Sequence, residues 1–110
     1  MTQSQMGNDQ EVMARLRQPI DELIDKYCAD KTLYERLRLR QLAWQAVDVL
    51  ARTGNVADLE HEKDVKRITQ NIRELGASDI FIKESLELAI SIYKKMQVYY
   101  PGILKRYQGK

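Results

Sequence analysis

Acidic and ionisable side chains are concentrated in the segment DLEHEKDVKRI, residues 58 to 68. Asp58 is suited to cap a helix, because its carboxylate can accept a hydrogen bond from a free backbone N–H group. His61 and Glu62 follow within one turn, where the helix dipole favours a carboxylate. Two interpretations are open for this segment: an ordinary solvated helix start, or part of a site that binds a small anion.

Cations that could bind such an anion lie in the first half of the chain. RLRQPID contains Arg15 and Arg17, and RLRLR contains Arg36, Arg38 and Arg40. A guanidinium group can bind a carboxylate through two parallel hydrogen bonds. The arginines of RLRLR are two positions apart, so they cannot all face one pocket on a helix. Each candidate arginine can therefore be either part of an anion clamp or an ordinary solvated side chain.

Composition limits the class of protein. The 110 residues include 18 basic and 16 acidic side chains, a net charge of +2, which is too small for a whole-molecule nucleic-acid footprint. One cysteine, Cys28, excludes an internal disulfide framework, and His61 as the single histidine excludes the usual Cys/His zinc site. Because no apolar run could span a bilayer and the N-terminus MTQSQMGNDQ has no hydrophobic signal core, we expect a cytoplasmic protein. We also expect no metal and no organic cofactor.

Apolar residues recur at helical spacing throughout, and strand-like alternation is never sustained, which predicts an all-α fold. We expect three helices, with Gly54 and Gly76 as left-handed caps and Pro101 ending the last helix. The predicted segments are a disordered stretch 1–10, helix 1 from Asp9 to Arg52, helix 2 from Asp58 to Leu75, helix 3 from Ser78 or Asp79 to Tyr100, and a basic tail 101–110. The helical domain is thus expected over residues 11–100.

Two features could interrupt helix 1: Pro19, and the polar stretch ADKT at 29–32. Unbroken, the helix would be about 60 Å long, much longer than a globule of this size is wide. A single chain would leave much of this helix exposed to solvent. This predicts an intertwined homodimer whose helices pack along each other. The alternative is a compact monomer in which helix 1 breaks at 29–32 and folds back.

This pattern resembles the all-α, AroQ-type chorismate mutase family. The resemblance covers roughly residues 12–98 and depends on the long first helix, on a second helix opening DLEHE, and on ELGASDIFIKESLELAISIYKKMQ. It implies a three-helix intertwined dimer that rearranges chorismate, a small dianion, to prephenate. Lyase chemistry on isochorismate is a close variant in the same family. The rearrangement needs no nucleophile or metal, so an enzyme helps by holding the reactive conformer and stabilising developing charge.

The resemblance also implies roles for individual residues. Arg17 and Arg38 would bind the substrate carboxylates, with Arg38 selected from RLRLR by its fixed spacing from Asp58. Asp58 and His61 would line the entrance to the site. His61 stands where the family has an arginine, and a histidine there would make anion binding dependent on pH.

Three further residues would complete the catalytic set. Glu62 would hold the substrate hydroxyl, and Gln97 and Arg52 would address the ether oxygen. The family's lysine near the end of helix 1 has no match, since Val49 and Leu50 stand there and only Arg52 is close. Gln97 is one position out of the ungapped register, a rotation of about 100° on a helix. These departures imply a site that is reorganised for a related anion or has lost the reaction.

Two other classes of function remain. A non-catalytic helical homodimer could act as a protein-interaction or regulatory module. The segment from Leu88 to Lys110 contains no acidic residue, and its lysines alternate with tyrosines, which can favour nucleic-acid binding. The low net charge and the lack of a recognisable nucleic-acid module argue against this last class.

Overall fold

Helical segments follow one another along the whole described chain in the structure, a computed structural model that describes the backbone of residues 2–108 and the side chains of residues 9–108. The segments are α1 (Thr2–Tyr27), α2 (Leu33–Thr53), a short 3-10 turn (Leu59–His61), α3 (Lys63–Glu74), α4 (Asp79–Tyr99) and α5 (Pro101–Gln108). Residues 2–108 contain no strand. The all-α prediction is confirmed.

The predicted three-helix arrangement is wrong, because five α-helices occur and the expected first helix is divided into α1 and α2. The backbone turns at Cys28, whose carbonyl accepts a hydrogen bond from the N–H of Lys31. Thr32 then starts a new helix: its hydroxyl accepts from the Glu35 N–H at 3.1 Å, and the Glu35 carboxylate accepts from the Thr32 N–H at 3.0 Å. This reciprocal capping box fixes a helix start within the stretch 29–32.

The intertwined dimer of long helices is likewise wrong, because α1 folds back along α2 and α4 of the same chain. The radius of gyration is 14.2 Å, close to the roughly 13 Å expected of a folded chain of this length. The longest axis is 44 Å, too short for the unbroken first helix. Much of the apolar surface that suggested a second chain is covered by α1, α2 and α5 of this one, although Leu33, Tyr34 and Leu37 stay exposed.

The second predicted helix begins later than expected. Residues 59–61 form the 3-10 turn, Glu62 is extended, and α3 starts at Lys63. Asp58 makes no side-chain capping bond. Its Oδ1 atom instead lies 2.6 Å from Nδ1 of His61. The predicted caps at Gly54 (φ 67°) and Ser78 are confirmed, since Gly54 is left-handed and Ser78 accepts from the Phe81 N–H.

Both chain ends take part in the helical body. The backbone is helical from Thr2, which includes most of the stretch for which the sequence predicts disorder. Pro101 ends α4 as expected and opens α5, whose Ile103 and Leu104 are buried in the core. Arg106 of α5 is ion-paired with Asp9 of α1. Met1, Gly109 and Lys110 lie outside the described residues.

Helix α2 lies at the centre of the fold, with nine buried residues in its last two-thirds. Helices α1, α3, α4 and α5 all pack against it. The largest fully buried side chain is Phe81 of α4, whose ring meets Tyr27 of α1 edge-on. This packing holds the first half of α2, which is more exposed, beside the middle of α1.

The capping box makes stability depend on pH. Hydrogen bonds from the backbone N–H and then the hydroxyl of Thr32 lower the pKa of Glu35 from its ordinary value of 4.5. A carboxylate with a lowered folded-state pKa stabilises the fold above its unfolded-state pKa, and this contribution is lost as pH falls through the folded-state value. In urea unfolding at neutral pH, we expect the wild type to have a higher free energy of unfolding than Glu35→Gln. This difference should shrink as pH falls below about 4.5. Gln keeps the capping geometry, so a difference that stays constant into acid would contradict this assignment.

The single thiol is expected to be unreactive in the native protein. Cys28 is 1% exposed at the end of α1, and burial raises the pKa of its thiol, which Lys31 opposes only in part. Disulfide-exchange reagents attack the thiolate, so we expect native Cys28 to react more than about tenfold slower than in urea. Reaction with a chromogenic disulfide in both states measures this. Equal rates in the two states would show that the α1–α2 turn opens readily.

Candidate anion-binding site

A groove of about 650 Å³ runs between the middle of α1 and the first half of α2. We call it the arginine groove; its lining residues are Arg17, Tyr34, Leu37, Arg38, Arg40, Gln41 and Trp44. Three of these side chains are cationic, and none is a carboxylate. The groove is therefore a positively charged surface with an aromatic and apolar component.

Arg17 is held in the groove by Trp44. Its neighbours Leu16 and Ile20 on α1 are buried in the core, and Arg17 itself is half-buried. The guanidinium carbon lies 4.9 Å from the centre of the Trp44 ring, within the range of a cation–π interaction. Trp44 is only 7% exposed, so it forms a rigid base. Its ring leaves the N–H groups of Arg17 available for an anion.

The arginines of RLRLR have different partners. Arg36 donates to Oδ1 of Asp25 at 2.7 Å, and Nε of Arg40 lies 3.1 Å from Oδ1 of Asp21. Both aspartates belong to α1, so these ion pairs join α1 to α2. Arg38 instead donates to Oε1 of Gln41 at 2.8 Å. It has no carboxylate partner among residues 9–108.

Most other arginines are also neutralised. Asp64 lies 3.6 Å from Arg52 and 3.5 Å from Arg67, Asp79 lies 3.3 Å from Arg73, and Asp9 pairs with Arg106. Arg15 is exposed and lies outside the groove. In the part of the chain with described side chains, Arg17 and Arg38 are thus the groove arginines whose charge no carboxylate balances.

The remaining predicted site residues lie at the other end of α2. Arg52 follows Arg38 by 14 residues on the same helix, about 21 Å along its axis. It faces Asp64 across a second, smaller depression of about 280 Å³ between α2, α3 and α5. Glu62 accepts a hydrogen bond at 2.8 Å from the side chain of Asn55, just beyond that end of α2.

Gln97 belongs to the same distant end. Its Nε2 donates to the hydroxyl of Tyr93 at 3.1 Å, and that hydroxyl lies beside the Gly54 cap of α2. The Asp58–His61 pair is part of the turn that follows. The seven predicted site residues therefore form two groups: Arg17 and Arg38 at one end of α2, and the other five near its C-terminal end.

His61 also lines a third groove, of about 770 Å³, between α3 and α4. Ile82, Leu86 and Ile90 of α4 contribute to its apolar side. No other residue of the predicted set lines it. This separation places His61 away from both unpaired arginines.

Sequence reasoning missed four residues of the arginine groove. They are Tyr34, Leu37, Gln41 and Trp44. The signal that could have found them is spacing, because Tyr34, Arg38 and Gln41 are separated by four and three positions and share one side of a helix.

No protein-family model, curated protein or solved structure matches this chain. None of the helices in residues 2–108 is long and apolar enough to cross a membrane.

Proposed function

We propose that the arginine groove binds a small organic dianion of the chorismate class. The observation that supports this most directly is that Arg17 and Arg38, on two different helices, line one groove and have no carboxylate partner among the described residues. Two guanidinium groups from different helices that line one groove suit two carboxylates on one ligand. The sequence resemblance to chorismate mutases points to the same two arginines.

The rest of the groove favours a ligand with an unsaturated ring. Tyr34, Leu37 and Trp44 supply apolar and aromatic surface, and the Gln41 amide supplies a polar contact for a hydroxyl group. Binding sites for small molecules commonly combine apolar walls with a few polar groups that set orientation. A ring that carries two carboxylates and one hydroxyl matches this combination.

The proposal is binding without rearrangement. The groups that the resemblance assigns to the hydroxyl and the ether oxygen are Glu62, Arg52 and Gln97, and each is engaged with another side chain near the C-terminal end of α2. One electrostatic donor in such sites contributes roughly 3 kcal/mol to transition-state stabilisation. Without these donors, carboxylate binding alone holds the ground state and the transition state equally and does not raise the rate.

The single tryptophan gives a direct test of binding. Trp44 lines the groove and is the single tryptophan, so its indole N–H signal in a ¹⁵N-labelled sample reports on a ligand bound there. We expect chorismate to shift that signal saturably, and benzoate, a monoanion of similar ring size, to shift it more weakly at equal concentration. A signal unchanged by chorismate, or equal saturation by benzoate, would overturn the proposal of a dianion site.

Turnover is tested separately with the same sample. Chorismate is incubated with the protein at acidic and at neutral pH, and the products are separated by chromatography. We expect the rate of chorismate loss to equal that of the protein-free control. Prephenate formed faster than in that control, and lost in Glu62→Ala, would place the chemistry at the C-terminal end of α2 and contradict binding without rearrangement.

A further inference from the structure

Three large apolar side chains at the start of α2 are exposed to solvent. Leu33 is 70% exposed, Tyr34 76% and Leu37 52%. We call these three residues the α2 strip. They are half of the six large apolar side chains that are strongly exposed in the described chain, and the other three are divided between the two ends of α4.

The α2 strip is continuous because of helical geometry. At 100° per residue, Leu33, Leu37 and Tyr34 lie within about 100° of one another around the helix. The buried part of α2 begins only at Leu39, so the strip is the outward surface of the first turns. Contiguous exposed apolar surface on a small protein marks an interaction site more often than scattered single residues do.

Arginines lie on both sides of the strip, and the one on one side, Arg38, has no carboxylate partner among the described residues. Arg38 follows Leu37 on one edge, and Arg36 and Arg40 lie on the other, where α1 aspartates pair with them. The nearest acidic residue on α2 is Glu35, whose carboxylate is held by Thr32 in the capping box. The strip and its unpaired arginine therefore present an apolar surface with a net positive border.

We propose that the α2 strip docks an acidic amphipathic helix of another protein. The partner's apolar residues would cover Leu33, Tyr34 and Leu37, and its carboxylates would meet Arg38 and the groove arginine Arg17. Recognition of an amphipathic helix by an apolar surface depends on side chains at spacings of three and four. A second copy of this chain fits less well, because it would place arginines opposite arginines. The helix and the dianion would compete, because Tyr34, Leu37, Arg17 and Arg38 also line the arginine groove, whereas Leu33 lies outside it and distinguishes the two.

The test uses designed peptides as probes. A fluorescein-labelled helical peptide carries leucines at spacings of three and four, with glutamates on both flanks; its control has lysine at every glutamate. In fluorescence anisotropy with the full chain, we expect the acidic peptide to bind and the lysine peptide not to bind. Leu33→Ser and Leu37→Ser should each weaken binding by about tenfold, whereas Ile80→Ser and Val98→Ser, exposed apolar positions on α4, should not.

The outcomes separate the two proposals. Equal binding of both peptides, or equal weakening by the α4 variants, would overturn the docking surface. Sedimentation of the wild type as a dimer that Leu37→Ser converts to a monomer would also overturn it, because the strip would then cover a second copy. Leu33→Ser should leave the chorismate-induced shift of Trp44 intact. A wild type that binds the acidic peptide but shows no chorismate-induced shift of Trp44 would contradict the dianion proposal alone.

Discussion

Phe81→Ala is expected to lower the free energy of unfolding by about 3–5 kcal/mol. The Phe81 side chain is fully buried, and its ring centre lies 6.5 Å from that of Tyr27 in an edge-on arrangement at 74°. Removing the ring leaves a cavity between α4 and α1 that rigid helices cannot close. Because small domains have only about 5–15 kcal/mol of stability in total, this single change removes a large part of it.

Urea unfolding followed by the helical circular-dichroism signal measures this loss. A domain of this size is expected to unfold in a single cooperative transition, so the free energy of unfolding can be taken from the curve. Ser85→Ala, one turn further along α4, is the matched control. Ser85 is 4% exposed, and its hydroxyl has no hydrogen-bond partner among the described residues. Its removal should leave stability unchanged or raise it. A loss below about 1 kcal/mol for Phe81→Ala would mean that α4 and α1 do not share a tightly packed core.

Several helix boundaries were predicted correctly from local signals in the sequence. Gly54 and Ser78 cap helices, and Pro101 ends α4, because each signal acts within one turn of backbone. The break within 29–32 was open to the same local analysis, since Thr32 and Glu35 have the spacing of a capping box. The apolar stripe favoured a single helix, because it continues on both sides of the break.

The prediction of three long, intertwined helices failed for a non-local reason. The amount of apolar surface on a helix can be read from sequence, but which element covers it depends on how the chain folds back. Here the turn at Cys28 brings α1 against α2 and α4, and Pro101 brings Ile103 and Leu104 of α5 into the core. These elements supply the cover that a second chain was expected to provide.

The candidate site shows the same division between local and non-local information. Sequence left Arg36, Arg38 and Arg40 as alternatives, and spacing from Asp58 favoured Arg38. The structure distinguishes them by partners on another helix, since Asp21 and Asp25 of α1 pair with Arg40 and Arg36. Which arginine remains without a carboxylate is decided by the α1–α2 packing, and no spacing within α2 contains that information.

Arg17→Ala combined with Arg38→Ala is expected to abolish chorismate binding measured by the Trp44 indole signal. Hydrogen bonds to charged groups contribute about 1.5–3 kcal/mol each, so each single variant should weaken binding by about 10-fold to 100-fold. Arg17→Lys keeps the charge and loses the planar fork, so it should bind less tightly than wild type and more tightly than Arg17→Ala. This ranking separates carboxylate recognition from a general attraction of anions.

Arg15→Ala is the matched control, because Arg15 is two positions from Arg17 on α1 but exposed and outside the groove. It removes the same net charge, so a purely long-range attraction would weaken binding as much as Arg17→Ala does. Arg17 also contacts the Trp44 ring at 4.9 Å, and unfolding curves of each variant show whether that packing survives. With unfolding unchanged, equal affinities of the Arg15 and Arg17 variants would remove the arginine groove as the binding site. A loss confined to Arg17 and Arg38 would assign the ligand carboxylates to these two side chains, since both line the arginine groove without a carboxylate partner among the described residues.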